Sequence, residues 1–146
     1  MINVDESLLG QSDFRRRKWM VPGTSNSLVK KALQPRVSMI AALDNLGGVF
    51  ISLVQGNSNS KIMEVYFQNL CRKLEKEDKA YKDNVVVLLD NAAYHTCPAT
   101  LSVLRRLQLQ VLFTGPNSYL AAPVELLFGA FKQADINPRK VMTAKR

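Results

Sequence analysis

The sequence predicts an α/β domain: a mixed five-stranded sheet, antiparallel over strands 1–3 and parallel over strands 1, 4 and 5, flanked by helices. Three observations carry this. Residues 85–89, Val-Val-Val-Leu-Leu, form an unbroken apolar, β-branched run of the kind found in strands covered on both faces. Two further apolar runs, 37–43 and 49–54, flank Asp44-Asn45-Leu46-Gly47-Gly48, a strong hairpin signal. Ile62, Met63, Tyr66, Phe67, Leu70 and Leu74 recur at three- and four-residue spacing, which is the period of an amphipathic helix.

The elements follow in order. Residues 2–6 read as a short first strand ending in two acids, Asp5 and Glu6. Residues 7–35 carry Gly10, Pro22, Gly23, a Ser/Asn cluster and basic runs, and read as a long connection with one short strand around 19–21. Structureless connections of that length are usually functional or disordered. The hairpin strands pair antiparallel. The first helix has Ser58, Asn59 or Ser60 available as its N-cap, and Glu75 and Lys79 stand four apart near its exposed end. Its charged stretch reaches Lys82 before the 85–89 strand, which closes on Asp90. A second helix spans 98–107, capped by Thr96 or Cys97, with Leu101 and Leu104 turned inward. After the short strand 109–113 and a Gly/Pro/Asn/Ser loop, Pro123 opens a third helix, 123–134. That helix buries Val124, Leu127, Phe128 and Phe131. The sequence shows no internal repeat and no second domain.

A chain of 146 residues is one domain, able to bury roughly 70% of its unfolded surface. Cys71 and Cys97 lack metal-like spacing and read as reduced packing residues, which points to an intracellular protein. No apolar run approaches the ~20 residues of a membrane span, and the first residues do not form a signal peptide, so no membrane partner is expected. The net charge of +8 and a pI near 9.7 favour a polyanionic partner, because basic side chains that neutralise phosphates release counterions. The charge clusters at Arg15-Arg16-Arg17-Lys18, at Lys30-Lys31 and in the tail from Arg139 and Lys140 to Arg146, with Lys132 on the last helix. The plainer reading of each cluster is solvated surface. Arg15 to Lys18 is also a weak match to a nuclear import signal.

This order of elements is that of a ribonuclease H-like fold. In such a sheet the first strand lies beside the fourth, so Asp5 and Asp90 face each other across strands about 4.8 Å apart. The last helix brings Glu125 to the same point, at the strand edge where open α/β sheets bind ligands. Three acids there suit magnesium or manganese, which take hard oxygen ligands and, in pairs, clamp the attacking and leaving oxygens of a phosphodiester. Each acid also has a plainer reading. Asp90 can be a turn or cap residue, Glu125 can complement the helix dipole, and Asp5 competes with Glu6 and Asp13. Asn91 and His95 add polar groups beyond Asp90. His95, the only histidine, reads equally as a structural hydrogen-bonding residue or as a neighbour of a metal site. Trp19 and the helix aromatics read as core, and Ser118 as a turn residue.

Val4-Asp5-Glu6-Ser7, Asp90-Asn91-Ala92-Ala93-Tyr94-His95, and Pro116 through Pro123-Val124-Glu125 with Phe128-Gly129 and Phe131-Lys132 together resemble the catalytic domain of mariner-type transposases, DDE superfamily endonucleases. Thirty-four residues lie between Asp90 and Glu125, a spacing characteristic of one large branch of that family. Between Pro116 and Pro123 the chain keeps Pro116, Ser118 and Pro123 of the family's pattern. The resemblance implies a DNA transposase or transposase-derived endonuclease that cleaves phosphodiesters and transfers strands. Asp5, Asp90 and Glu125 would be its catalytic, metal-holding triad for two Mg2+ or Mn2+ ions. Transposon-end and target DNA would be its partners, a homodimer is compatible, and its location would be the nucleus in a eukaryote or otherwise the cytoplasm. The family carries a helix-turn-helix region before the first strand and continues past the third acid. The chain is therefore expected to be truncated at both ends and a weak transposase alone. Two rivals stand: a domesticated or decayed non-catalytic nucleic-acid-binding domain of this fold, and a related nuclease acting on RNA strands or junctions.

Overall fold

The computed structural model describes residues 1–9, 37–115 and 122–134. The expected strand near Trp19, the basic residues Arg15, Arg16, Arg17, Lys18, Lys30, Lys31, Arg139 and Lys140, and the turn residue Ser118 lie outside them. Five strands, β1 (Ile2–Leu9), β2 (Val37–Asp44), β3 (Val49–Gln55), β4 (Val86–Leu89) and β5 (Gln110–Phe113), form one sheet in the order β3-β2-β1-β4-β5. The β1/β2 and β2/β3 pairs are antiparallel and the β1/β4 and β4/β5 pairs parallel, as the expected fold requires.

The hairpin between β2 and β3 forms where the sequence signals it. Asp44 Oδ1 accepts from the backbone N–H groups of Leu46 and Gly48, both at 2.7 Å, and Gly47 takes a φ of 89° that a residue with a Cβ rarely adopts. Strand alternation then sorts the side chains onto two faces. On one, Ile2, Val4, Ile40, Ala42, Val87 and Leu89 pack against Met63, Phe67 and Leu70 of α1 (Ser60–Glu77), and Leu104 of α4 (Pro98–Arg106) completes the cluster. Burying each large side chain here contributes roughly 1.5–3 kcal/mol. On the other face, Met39 and Ala41 meet Val124 and Phe128 of α5 (Pro123–Ala134), with Leu127 and Phe131 half-buried around them.

The structure departs from the sequence reading in several places. β1 continues through Ser7 and Leu8 to Leu9 instead of ending at Glu6, because those residues pair with Met39, Ser38 and Val37 of β2. Asp5 therefore sits within a strand. On its other edge β1 pairs with β4 only at Ile2 and Asn3. β4 is buried through Val87 and Leu89, whereas Val86 and Leu88 are half-buried, so its second face is only partly covered. The first helix stops at Glu77, short of Lys82. The Asp78 carboxylate captures the Ala80 N–H at 2.8 Å and the Asn84 amide at 3.0 Å, and a separate turn, α2 (Tyr81–Asn84), follows. Lys79 thus falls beyond the helix, and the ion pair near its end is Lys73–Glu77 at 2.6 Å instead of Glu75–Lys79. An unanticipated short helix, α3 (Ala93–Thr96), lies directly after Asp90. Asn59 is the N-cap of α1, accepting from Ile62 N at 3.1 Å, and Cys97 precedes α4. Cys71 is buried, Cys97 half-buried, and both are free thiols.

Candidate active site

The β1/β4 ladder pairs Ile2 with Val87 and Asn3 with Leu88, and continuing that offset brings Asp5 level with Asp90. Glu125 stands in the first turn of α5, on the side of the sheet that Asp5 faces. The buried Asn3 side chain ties these elements together. Its Oδ1 accepts from Val124 N at 3.1 Å, and its Nδ2 donates to Leu88 O at 3.4 Å. The N-terminus of α5 is thereby anchored to the strand that leads into Asp90.

Asp5 Oδ1 accepts from Glu6 N at 2.7 Å. Burial pushes its carboxyl up to about 7; that backbone hydrogen bond opposes the rise, and the charges of Glu6, Asp90 and Glu125 add to it. Asp5 therefore feels the charges of both Asp90 and Glu125. Asp90 is half exposed, at 51%, and its Oδ1 accepts from Ala92 N at 3.0 Å, which turns the chain into α3. Asn91, next to Asp90, donates to Thr114 O, fastening the loop after β4 to the end of β5.

His95 is fully buried on α3, with Nδ1 2.6 Å from Asp90 Oδ1 and Nε2 2.9 Å from Glu6 Oε1. Tyr94 donates its hydroxyl to Glu6 Oε2 at 2.9 Å and sets its ring edge-on to the imidazole, with centroids 4.5 Å apart. Burial works against a charge on His95, but the hydrogen bonds and charges of Glu6 and then Asp90 outweigh it and hold the imidazole above its ordinary range. Burial, then Glu6, raises the Tyr94 phenol well above its usual value. Thr100 Oγ1 donates to Tyr94 O at 2.6 Å, locking α3 to α4.

Asp5, Asp90 and Glu125 thus stand at one end of the sheet, near enough for Asp5 to feel both other charges. Among the described residues, however, no three His, Cys, Asp or Glu side chains are drawn together closely enough to hold a metal ion. The two observations are compatible, since charge coupling acts over distances far longer than a ligand bond of about 2.1 Å. The donor set fits a hard divalent cation. All three groups offer carboxylate oxygens, and a cation would offset both the burial that chiefly raises Asp5 and the smaller repulsion from its acidic neighbours. Lys132 lies half-buried on α5. Asn3, Glu6 and Tyr94 escaped the sequence reading. Asn3 had a signal there, a polar residue between the apolar Ile2 and Val4 of a central strand; Glu6 and Tyr94 were visible only as neighbours of Asp5 and His95.

A family model described as DDE superfamily endonuclease matches residues 1–146. Several solved structures share the fold. The crystal structure of the mariner Mos1 paired end complex with Mg superposes with a TM-score of 0.68 at 22% identity, covering 97% of this chain and 45% of that one. The Mos1 mariner paired end complex with Mn gives 0.66 at 22% identity, covering 97% and 45%. The catalytic domain of Mos1 mariner transposase gives 0.63 at 20% identity, covering 99% and 70%. The chain spans under half the length of the transposase chains in those paired-end complexes. No curated protein sequence matches it.

Proposed function

The chain belongs to the DDE superfamily endonucleases, and from that premise we propose that it is the catalytic core of a DNA transposase or transposase-derived endonuclease. Its reaction is phosphodiester cleavage followed by strand transfer, with transposon-end and target DNA as substrates. The observation that carries this is the placement of Asp5, Asp90 and Glu125 at one end of the sheet, with the Asp5 carboxyl pushed to about 7 by burial and by the charges of its acidic neighbours. A bound Mg2+ or Mn2+ would supply Lewis acidity for phosphodiester chemistry. Asp5, Asp90 and Glu125 are the residues that would hold it. Asn3 sets α5 against β4, and His95 holds one oxygen of Asp90.

The basic residues Arg15, Arg16, Arg17, Lys18, Lys30, Lys31, Lys132, Arg139 and Lys140 neutralise DNA phosphates in this reading. Binding is then mainly electrostatic, and affinity falls steeply with salt. The protein acts as a homodimer, in the nucleus of a eukaryotic host or otherwise in the cytoplasm. Plasmid nicking tests the proposal. The chain should nick only with Mg2+ or Mn2+, and Asp90→Ala should abolish nicking while retaining DNA binding and the folded circular dichroism spectrum. DNA binding without metal-dependent nicking by the unaltered chain would favour the non-catalytic reading, and RNA cleavage in preference to DNA would favour the related nuclease.

A further inference from the structure

Glu6 follows a metal-holding candidate in sequence yet points to the opposite face of β1. Its side chain is only 6% exposed and both its oxygens are engaged, Oε1 with His95 Nε2 at 2.9 Å and Oε2 with the Tyr94 hydroxyl at 2.9 Å. Both oxygens face protein donors, and the side chain is almost wholly withdrawn from solvent. The buried imidazole between Glu6 and Asp90 has a carboxylate at each nitrogen, and carboxylates only accept. Rotating the ring breaks both contacts at once, and the edge-on Tyr94 ring packs against it. At the far end of this chain, Asp90 Oδ1 is occupied by His95 and by Ala92 N, whereas its Oδ2 has no hydrogen-bond partner among the described residues.

We infer that Glu6 is a positioning residue: through His95 it fixes the rotamer of Asp90, so that Oδ1 is spent inside the protein and Oδ2 is the oxygen offered to a divalent cation. This rests on the reading of Asp90 as a metal-holding carboxylate. Of two adjacent acids, Asp5 serves the ion and Glu6 serves the ligand. Partners of ligands orient them and tune their basicity, and removing one typically costs 10- to 100-fold in metal affinity or activity.

The test uses the whole chain, with Mn2+ affinity read by electron paramagnetic resonance and with the ring-nitrogen NMR shifts of His95, unambiguous because the chain has one histidine. Glu6→Gln should move both ring-nitrogen signals and weaken Mn2+ binding by about 10- to 100-fold. Combined with His95→Asn, it should cost nothing beyond His95→Asn alone, because Glu6 acts only through the ring. Additive losses in the double variant would show that Glu6 meets the ion itself and would overturn the inference, as would unchanged Mn2+ affinity in folded Glu6→Gln. If Glu6→Gln fails to fold, Tyr94→Phe decides: a shifted Nε2 signal with a smaller loss of affinity supports positioning, and no change in either overturns it. Asp90→Ala separates the two levels. Unchanged Mn2+ affinity there overturns the metal reading and the inference with it, whereas loss in Asp90→Ala without loss in Glu6→Gln overturns the positioning alone.

Discussion

On the α5 face of β1, Asp5 accepts one backbone hydrogen bond, and burial among other acids lifts its carboxyl to about 7. On the opposite face Glu6 engages Tyr94 with one oxygen and His95 with the other. The two residues share a strand and a charge type, and differ in the donors they meet. A carboxylate whose oxygens are satisfied holds its neighbours in place. One left short of donors in a low-dielectric setting keeps its capacity for an external cation, at a cost to the unliganded fold.

The largest expected effect separates the two faces by function. Asp90→Ala and Asp5→Asn should each lower metal-dependent nicking on the order of a thousandfold or more, about 4 kcal/mol of barrier, in a plasmid assay. Next comes the stability of the Glu6 face. Glu6→Gln removes one partner of a buried pair and should cost about 3 kcal/mol in urea denaturation. Its pH dependence has a definite sign. Because the folded state raises the His95 pKa, the stabilisation is fully present below the ordinary imidazole range and is lost as pH rises through the elevated folded value. The deficit of Glu6→Gln should therefore be greatest in mild acid and shrink as the solution becomes basic.

Asp5 predicts the reverse sign. Its folded pKa of about 7 lies above the unfolded value near 4, so the metal-free protein loses stability as pH rises between those values and levels off beyond them. Asp5→Asn escapes that loss. Below pH of about 4 it should match the unaltered chain. Near pH 8 it should be more stable by on the order of 2 kcal/mol, once solvent screening of the partly exposed carboxyl is allowed for. Saturating Mn2+ should cancel the advantage, and Mn2+ binding should release a proton below about pH 7, detectable by calorimetry in buffers of different ionisation enthalpy. The smallest effect belongs to the tie between the elements. Asn3→Ala leaves Val124 N and Leu88 O without their side-chain partner and should cost about 1–2 kcal/mol, read as a lowered denaturation midpoint.

Much of the frame was legible because its signals are local. The hairpin announced itself through Asp44 and Gly47, α1 through its apolar period, and β4 through five consecutive apolar residues. The mistaken boundaries have equally local chemistry that competes with periodicity. Asp78 stopped α1 with a side-chain hydrogen bond to Ala80 N, and Asp90 turned the chain into α3 by accepting from Ala92 N. The extension of β1 to Leu9 was hidden for another reason. Ser7 and Leu8 carry no strand signal of their own and are strand only because β2 supplies partners.

The sequence by itself determined which residues can share a face. Ile2, Val4 and Glu6 have one parity in the first strand, and Asn3 and Asp5 the other. Tertiary structure alone decided what each face meets. Packing Ile2 and Val4 under α1 sends Glu6 toward His95 and Asp5 toward the α5 side, where Glu125 stands. A slip of one residue in the pairing of β1 would exchange the two acids, because side chains alternate with a period of two. The distinction between the acid that holds the site together and the acid that serves it is thus set by long-range register, which no local pattern encodes.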